Sequence, residues 1–140
     1  MSIQRAIVEH LLAVEDVAAV VSTRIFRDVA IMGTLPYCTV TLPTAGDHVH
    51  GQGGAQGLVH RRVQVDVFTA STSDRGTLIE EIRLATVGFS GDMGDEPVTV
   101  RNIKYEGDRQ SVIPPKSADD GYTYRVTIEL MVWHEEAVPV

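Results

Sequence analysis

The chain opens on a helical repeat. Ile3, Ala6, Ile7, Leu11 and Val14 recur at steps of three and four, which places them on one side of a helix, and Ser2 stands where a side-chain oxygen can cap its first free N–H groups. A second short helical turn is expected at Asp16 to Val21, with Asp16 as the cap and Val17, Val20 and Val21 as apolar contacts. Arg24-Ile25-Phe26 reads as a short extended piece. From Pro36 the period changes to two: Cys38, Val40 and Leu42 point one way, Tyr37, Thr39 and Thr41 the other, and Pro43 closes the strand.

The same alternation returns from about His60 to Thr69, with Val63, Val65 and Val67 on one face and Arg62, Gln64 and Asp66 on the other. Ser71-Thr72-Ser73 offers caps for a second full helix, whose stripe is Leu78, Ile82, Ala85 and Phe89 and whose end is marked by Gly88. Val98 and Val100 start a third strand, but Ile103 and Tyr105 are displaced by one, so a bulge near Arg101 and Asn102 is expected. Tyr122, Tyr124, Val126, Ile128, Leu130 and Val132 then occupy every second position of a last strand long enough for the centre of a sheet. This order predicts an α+β fold: a mostly antiparallel four-stranded sheet with two helices on one face. One domain over 1–134 is expected, with 135–140 as a short C-terminal tail.

Two stretches carry no period and read as long loops between strands one and two and between strands three and four. Thr44 to Val59 holds five glycines with His48 and His50, and Gly107 to Gly121 holds Pro114-Pro115 and Asp119-Asp120. Long structureless loops are uncommon in a small domain and tend to carry function or to order on a partner.

At 140 residues with 44% hydrophobic and 22% charged letters, the chain can bury one core and is neither disordered nor fibrous. No apolar run approaches the roughly 20 residues of a membrane helix, and the first fourteen residues alternate instead of forming a signal peptide's apolar stretch, so a soluble protein made in the cytoplasm is expected. The net charge is −7, from 12 basic and 19 acidic side chains, and an acidic surface disfavours binding of duplex phosphates by a general basic face. Ten of the twelve basic residues are Arg, the cation that protein interfaces favour.

Candidate chemistry is thin. Gly51, Gly53 and Gly57 approach a dinucleotide fingerprint, but Gln56 stands where the third glycine belongs, and no strand leads in. His48, His50 and His60 could in principle hold a zinc ion with an open position, yet the spacing is unspecific. His10 and His134 read as packing or surface residues. Cys38, the lone cysteine, falls on an apolar strand face and reads as an inert core thiol. Asp66, among Arg62, Arg125 and Glu129, suits a cross-strand ion network better than a general base. No nucleophile signature occurs; neither an enzyme nor a cofactor is expected.

The order of elements, with Arg24-Ile25-Phe26, Leu35-Pro36-Tyr37, Val63-Gln64-Val65-Asp66-Val67, Ile82-Arg83 and Tyr124-Arg125-Val126, resembles the small tail-completion or tail-terminator proteins of long-tailed bacteriophages and related gene-transfer particles. The resemblance runs from the first helix to Trp133. It implies a subunit without chemistry, located in the virion at the head–tail junction. Such subunits form a ring, usually of six copies, that ends tail-tube growth and meets the head connector while DNA passes through the hole without sequence-specific binding. About six such chains would carry about −42, which repels DNA instead of trapping it.

A head-to-tail ring needs two different patches per subunit. Arg24, Arg27, Arg61, Arg62 and Arg109, with His48, His50 and Lys116 in the two loops, are the expected contributors to contacts with neighbouring copies, tube protein and connector. Three other readings compete. One is a head-completion or connector adaptor, more often helix-rich; the second is a metal-dependent enzyme built on His48, His50 and His60; the third is an α+β module that binds a small molecule.

Overall fold

The computed structural model describes residues 2–30, 34–43, 47–51, 54–115 and 121–135, of which 47–51 and 54–56 are described by their backbone alone. Among the described residues three helices, α1 (Ile3–Leu12), α2 (Glu15–Val21) and α3 (Thr72–Thr86), accompany seven strands: β1 (Ile25–Arg27), β2 (Tyr37–Thr41), β3 (Asp47–Gly51), β4 (Gly54–Thr69), β5 (Gly91–Met93), β6 (Val98–Ile113) and β7 (Thr123–Glu135). Six strands follow the order β1-β2-β4-β7-β6-β5, and β3 pairs with β4 beside them. β1 and β2 run parallel and every other pair is antiparallel, so the sheet is mixed.

The expected four-stranded sheet with two helices is therefore corrected to a curled half-barrel of more strands under three helices. β1 and β5, at three residues each, are too short to print a period. β3 and the start of β4 lie in the glycine-rich stretch expected as a loop, where ladder hydrogen bonds between main chains need no side-chain alternation. The second expected loop is likewise strand as far as Ile113: β6 continues through Gly107 to Ile113 opposite Glu129 to Thr123. Those residues are exposed or half-buried on both faces, so no apolar letter had to recur.

Local rules account for the helices. The Ser2 hydroxyl accepts from the Arg5 N–H at 3.3 Å, and Ser71 does the same for Asp74 at 3.1 Å; each cap satisfies a donor the helix cannot. α2 starts at Glu15, with Val14 in the cap position and no side-chain cap. The expected bulge exists, as a register shift between Val100 and Asn102, and a second lies between Tyr105 and Gly107. The first moves the strand by one residue and returns Ile103 and Tyr105 to the covered face; the second is followed by Gly107 to Ile113, which are covered on neither face.

β7 runs through the middle of the sheet, between β4 and β6, and ends at Glu135, opposite Leu58. On one face of the sheet Val63, Val65 and Val67 pair with Leu130, Ile128 and Val126, and all six are buried with Ile3, Ile7, Leu11, Leu78 and Ile82 in a single core. α1 touches β1 and β2 and also β5 at the far end of the strand order, which requires the sheet to curl around it. Gly94, in the turn after β5, makes that closure possible. It adopts a φ of +91°, and a Cβ there would sit 3.1 Å from the Cα of Ala6, inside ordinary contact. No helix among the described residues is long and apolar enough to cross a membrane.

Candidate functional site

Among the described residues the opposite face of the same strands carries no helix. Along β4 and β7 the outward pairs are His60 with Trp133, Arg62 with Met131, Gln64 with Glu129, Asp66 with Thr127 and Phe68 with Arg125. At its centre Asp66, only 4% exposed, collects three donors. The Thr127 hydroxyl donates at 2.6 Å, the Gln64 amide at 2.8 Å and the Arg125 guanidinium at 3.2 Å. A carboxylate this buried is tolerated because each oxygen is occupied, which makes Asp66 a structural anchor of the face, as its place in the alternation suggested.

Beside it Glu129 forms ion pairs with two arginines, Arg62 and Arg109, each at 3.6 Å. Toward β1 the face turns aromatic. Tyr37 stacks on Phe68 with ring centroids 4.6 Å apart, Phe26 meets Tyr37 edge-on at 6.3 Å, and the Arg125 guanidinium lies 5.5 Å from the Phe68 centroid. Burial holds the Tyr37 hydroxyl above its ordinary pKa, with Arg125 acting in the opposite sense. Half-buried Trp, Tyr, Phe, Met and Arg on one continuous face are the residue types that protein interfaces enrich.

The interface candidates from the sequence distribute unevenly over this frame. Arg62 and Arg109 meet on the bare face through Glu129. Arg24 and Arg27 lie at the β1 edge: the Arg24 Nε donates to the Pro36 carbonyl at 2.8 Å, and Arg27 is exposed opposite Val40. Arg61 is half-buried and opposite Val132, between Val59 and Val63 on the helix-covered side. His48 and His50 belong to β3, opposite Val59 and Ala55, with their side chains outside the described residues, and Lys116 lies outside them altogether. Among the described residues no group of three His, Cys, Asp or Glu side chains could hold a metal ion. His60 sits opposite Asp47 with its ring 6.5 Å from that of Trp133.

His10 is a packing residue: its ring N–H donates to the Ala85 carbonyl at 2.8 Å, and the ring meets Phe89 edge-on. Burial first, and the Asp66 carboxylate second, push the Cys38 thiol up to about 12, which leaves no reactive thiolate at neutral pH.

Sequence reasoning missed two apolar surfaces. One is a groove of about 620 Å³ on α3, lined by Gly76, Ile79, Glu80, Arg83, Leu84 and Val87. The other is the far end of the β6–β7 hairpin, where Val112, Ile113 and Tyr122 are exposed. The available signal was Leu84, which breaks the polar side of α3 next to Glu80 and Arg83, and the Val112-Ile113 pair inside a supposed loop.

No family model and no curated protein matches this chain. Its fold is similar to that of a chain in the solved virion of a native gene transfer agent particle, with a TM-score of 0.69 over 96% of this chain and 95% of that one, at 19% sequence identity. The two chains thus share one architecture from end to end.

Proposed function

We propose that this chain is a structural component of a phage-like virion that acts without chemistry, as a ring subunit at the head-proximal end of a tail tube. There it ends tube growth and joins the tail to the head connector. The observation that carries the reading is the fold shared over nearly the full length of both chains with a protein of a gene transfer agent virion.

The bare face of the sheet supports the same reading. A monomer with a simple solvated face needs none of Trp133, Met131, Phe68 and Tyr37 there, whereas a subunit that beds against tube or connector protein does. The arginines on that face are already neutralised by Asp66 and Glu129, which suits contact with protein better than capture of nucleic acid phosphates. DNA then passes an acidic collar that does not hold it.

Electron microscopy of particles made without this chain tests the reading. Heads filled with DNA beside unjoined or overlong tails are expected. Joined, infectious particles would overturn it, and density for the chain on the head side of the connector would move it to the adaptor role.

A further inference from the structure

We propose that the groove along α3 is closed by α3 of a second copy of this chain, the two helices running antiparallel about a two-fold axis. The inference goes beyond the ring reading. A two-fold contact is complete at two copies, so it describes the chain free of the tube and builds no ring by itself.

α3 has two apolar sides where an ordinary surface helix has one. Leu78, Ile82 and Thr86 are buried within their own chain. Ile79, Leu84 and Val87 instead line the groove with Gly76, Glu80 and Arg83, and Leu84 is 71% exposed. Several apolar side chains in one concavity mark a place where something docks. Gly76, Glu80, Arg83 and Val87 follow one another at steps of four, three and four, the seam repeat of two packed helices, and Ile79 and Leu84 flank that seam.

The lining selects the occupant, because it is complementary to itself. Its six positions mirror about the point between Glu81 and Ile82. On an antiparallel second copy Gly76 comes level with the partner's Val87, Ile79 with the partner's Leu84, and Glu80 with the partner's Arg83. The acid and the base that share the groove therefore meet as opposite charges twice, once on each side of the axis. A parallel copy in register would set Glu80 against Glu80 and Arg83 against Arg83, like charges that repel.

The single chain carries three further signs. Gly76 stands inside the helix, where glycine is less favourable than alanine, yet a Cβ there would meet nothing within 4 Å. Packing in its own chain calls for no glycine; a valine of a second copy seated over it does. The Arg83 guanidinium lies 4.7 Å from the Tyr105 ring centroid, which fixes its position while the N–H donors in its plane stay open to a carboxylate. Glu80 is exposed and forms no ion pair among the described residues.

One helix pair is a small interface, so the contact is weak. Sedimentation of the parent chain over a series reaching about 1 mM, where a Kd of that size is half saturated, should show monomers in equilibrium with dimers. Glu80→Arg and Arg83→Glu should each weaken dimerisation about tenfold or more, since each brings like charges together across the axis. Val29→Lys, at an exposed position elsewhere, should not. Mixed in equal amounts, the two charge variants should pair as well as the parent does, because every cation of one then faces an anion of the other. Gly76→Gln should unfold no earlier than the parent on heating and still dimerise less, which separates the contact from folding. A parent chain monomeric throughout, association undiminished in the variants, or a mixture no stronger than its parts would each overturn the two-fold contact. None of these results bears on the ring reading, which microscopy of particles decides.

Discussion

Strands β4 and β7 present two faces written in the same letters, one residue apart. On the helix side the opposing pairs Val63 with Leu130, Val65 with Ile128 and Val67 with Val126 are aliphatic, wholly buried and interchangeable in kind. On the bare side the pairs are chemically particular: a carboxylate with three donors, a glutamate shared by two arginines, and an aromatic stack under a guanidinium. The covered face holds the fold together through area removed from water, which tolerates swaps of similar volume. The other face stays half-solvated and holds its side chains in set directions, which suits recognition. The period of two thus divides one strand between stability and contact.

Substitutions on the paired strands β7 and β4 should separate the two faces. Ile128→Ala opens a cavity against Val65 and should cost about 2–5 kcal/mol of unfolding free energy, measured by denaturant titration. On the other face Asp66→Ala should cost less, about 1.5–3 kcal/mol. It strands the Thr127 hydroxyl and the Gln64 amide, but Arg125 keeps access to water, its side chain being 40% exposed. If the Asp66 change proves the larger, the polar cluster is the keystone of the fold and the division between faces fails.

Legibility followed the same division. α1, β2, the second half of β4 and β7 were readable because burial on one side forces apolar letters into a period. The slip between Val100 and Ile103 even placed a bulge. β1 was legible only as the short extended piece Arg24-Ile25-Phe26, β3 and β5 were not readable, being glycine-rich or three residues long, and Gly107 to Ile113 hid a strand because neither of its faces is buried. Of the bare face, Asp66 with Arg125 was legible from the alternation. Arg62 and Glu129 were read as members of the same network, but the arrival of Arg109 at Glu129 was not, since it depends on which strands are neighbours. Leu84 and Val112 were invisible for a related reason: exposure belongs to the packed molecule, not to the letter.

The faces also communicate through charge, and pH reads this out. Cys38 lies in the core, opposite Val67, yet the Asp66 carboxylate adds to burial in raising its thiol from 9.0 to about 12. A raised native value means that the neutral thiol is the form the fold favours. The stability it contributes is therefore complete below the unfolded thiol's value and is lost as pH climbs from about 9 toward 12. Cys38→Ala should flatten that limb of the stability–pH curve. Tyr105, raised to about 12 by burial and its hydrogen bond to Asp108, loses its share in the upper part of the same window. Tyr105→Phe is therefore the control, and a limb unchanged by Cys38→Ala would mean that the thiol is not held neutral.

The smallest effect is expected where the two arginines meet. Glu129→Gln removes the charge that Arg62 and Arg109 share, but both contacts are 3.6 Å long and both arginines are well exposed. Pairs of this kind contribute about 0–1 kcal/mol and fade with salt. Thermal unfolding of Glu129→Gln and the parent chain should then differ little at low salt and converge at high salt. A salt-independent loss of 2 kcal/mol or more would show that Glu129 ties β4 to β6 as a structural clasp. A near-silent change leaves two arginines held in place on a bare face at almost no benefit to the folded monomer, which is what a surface kept for another protein requires.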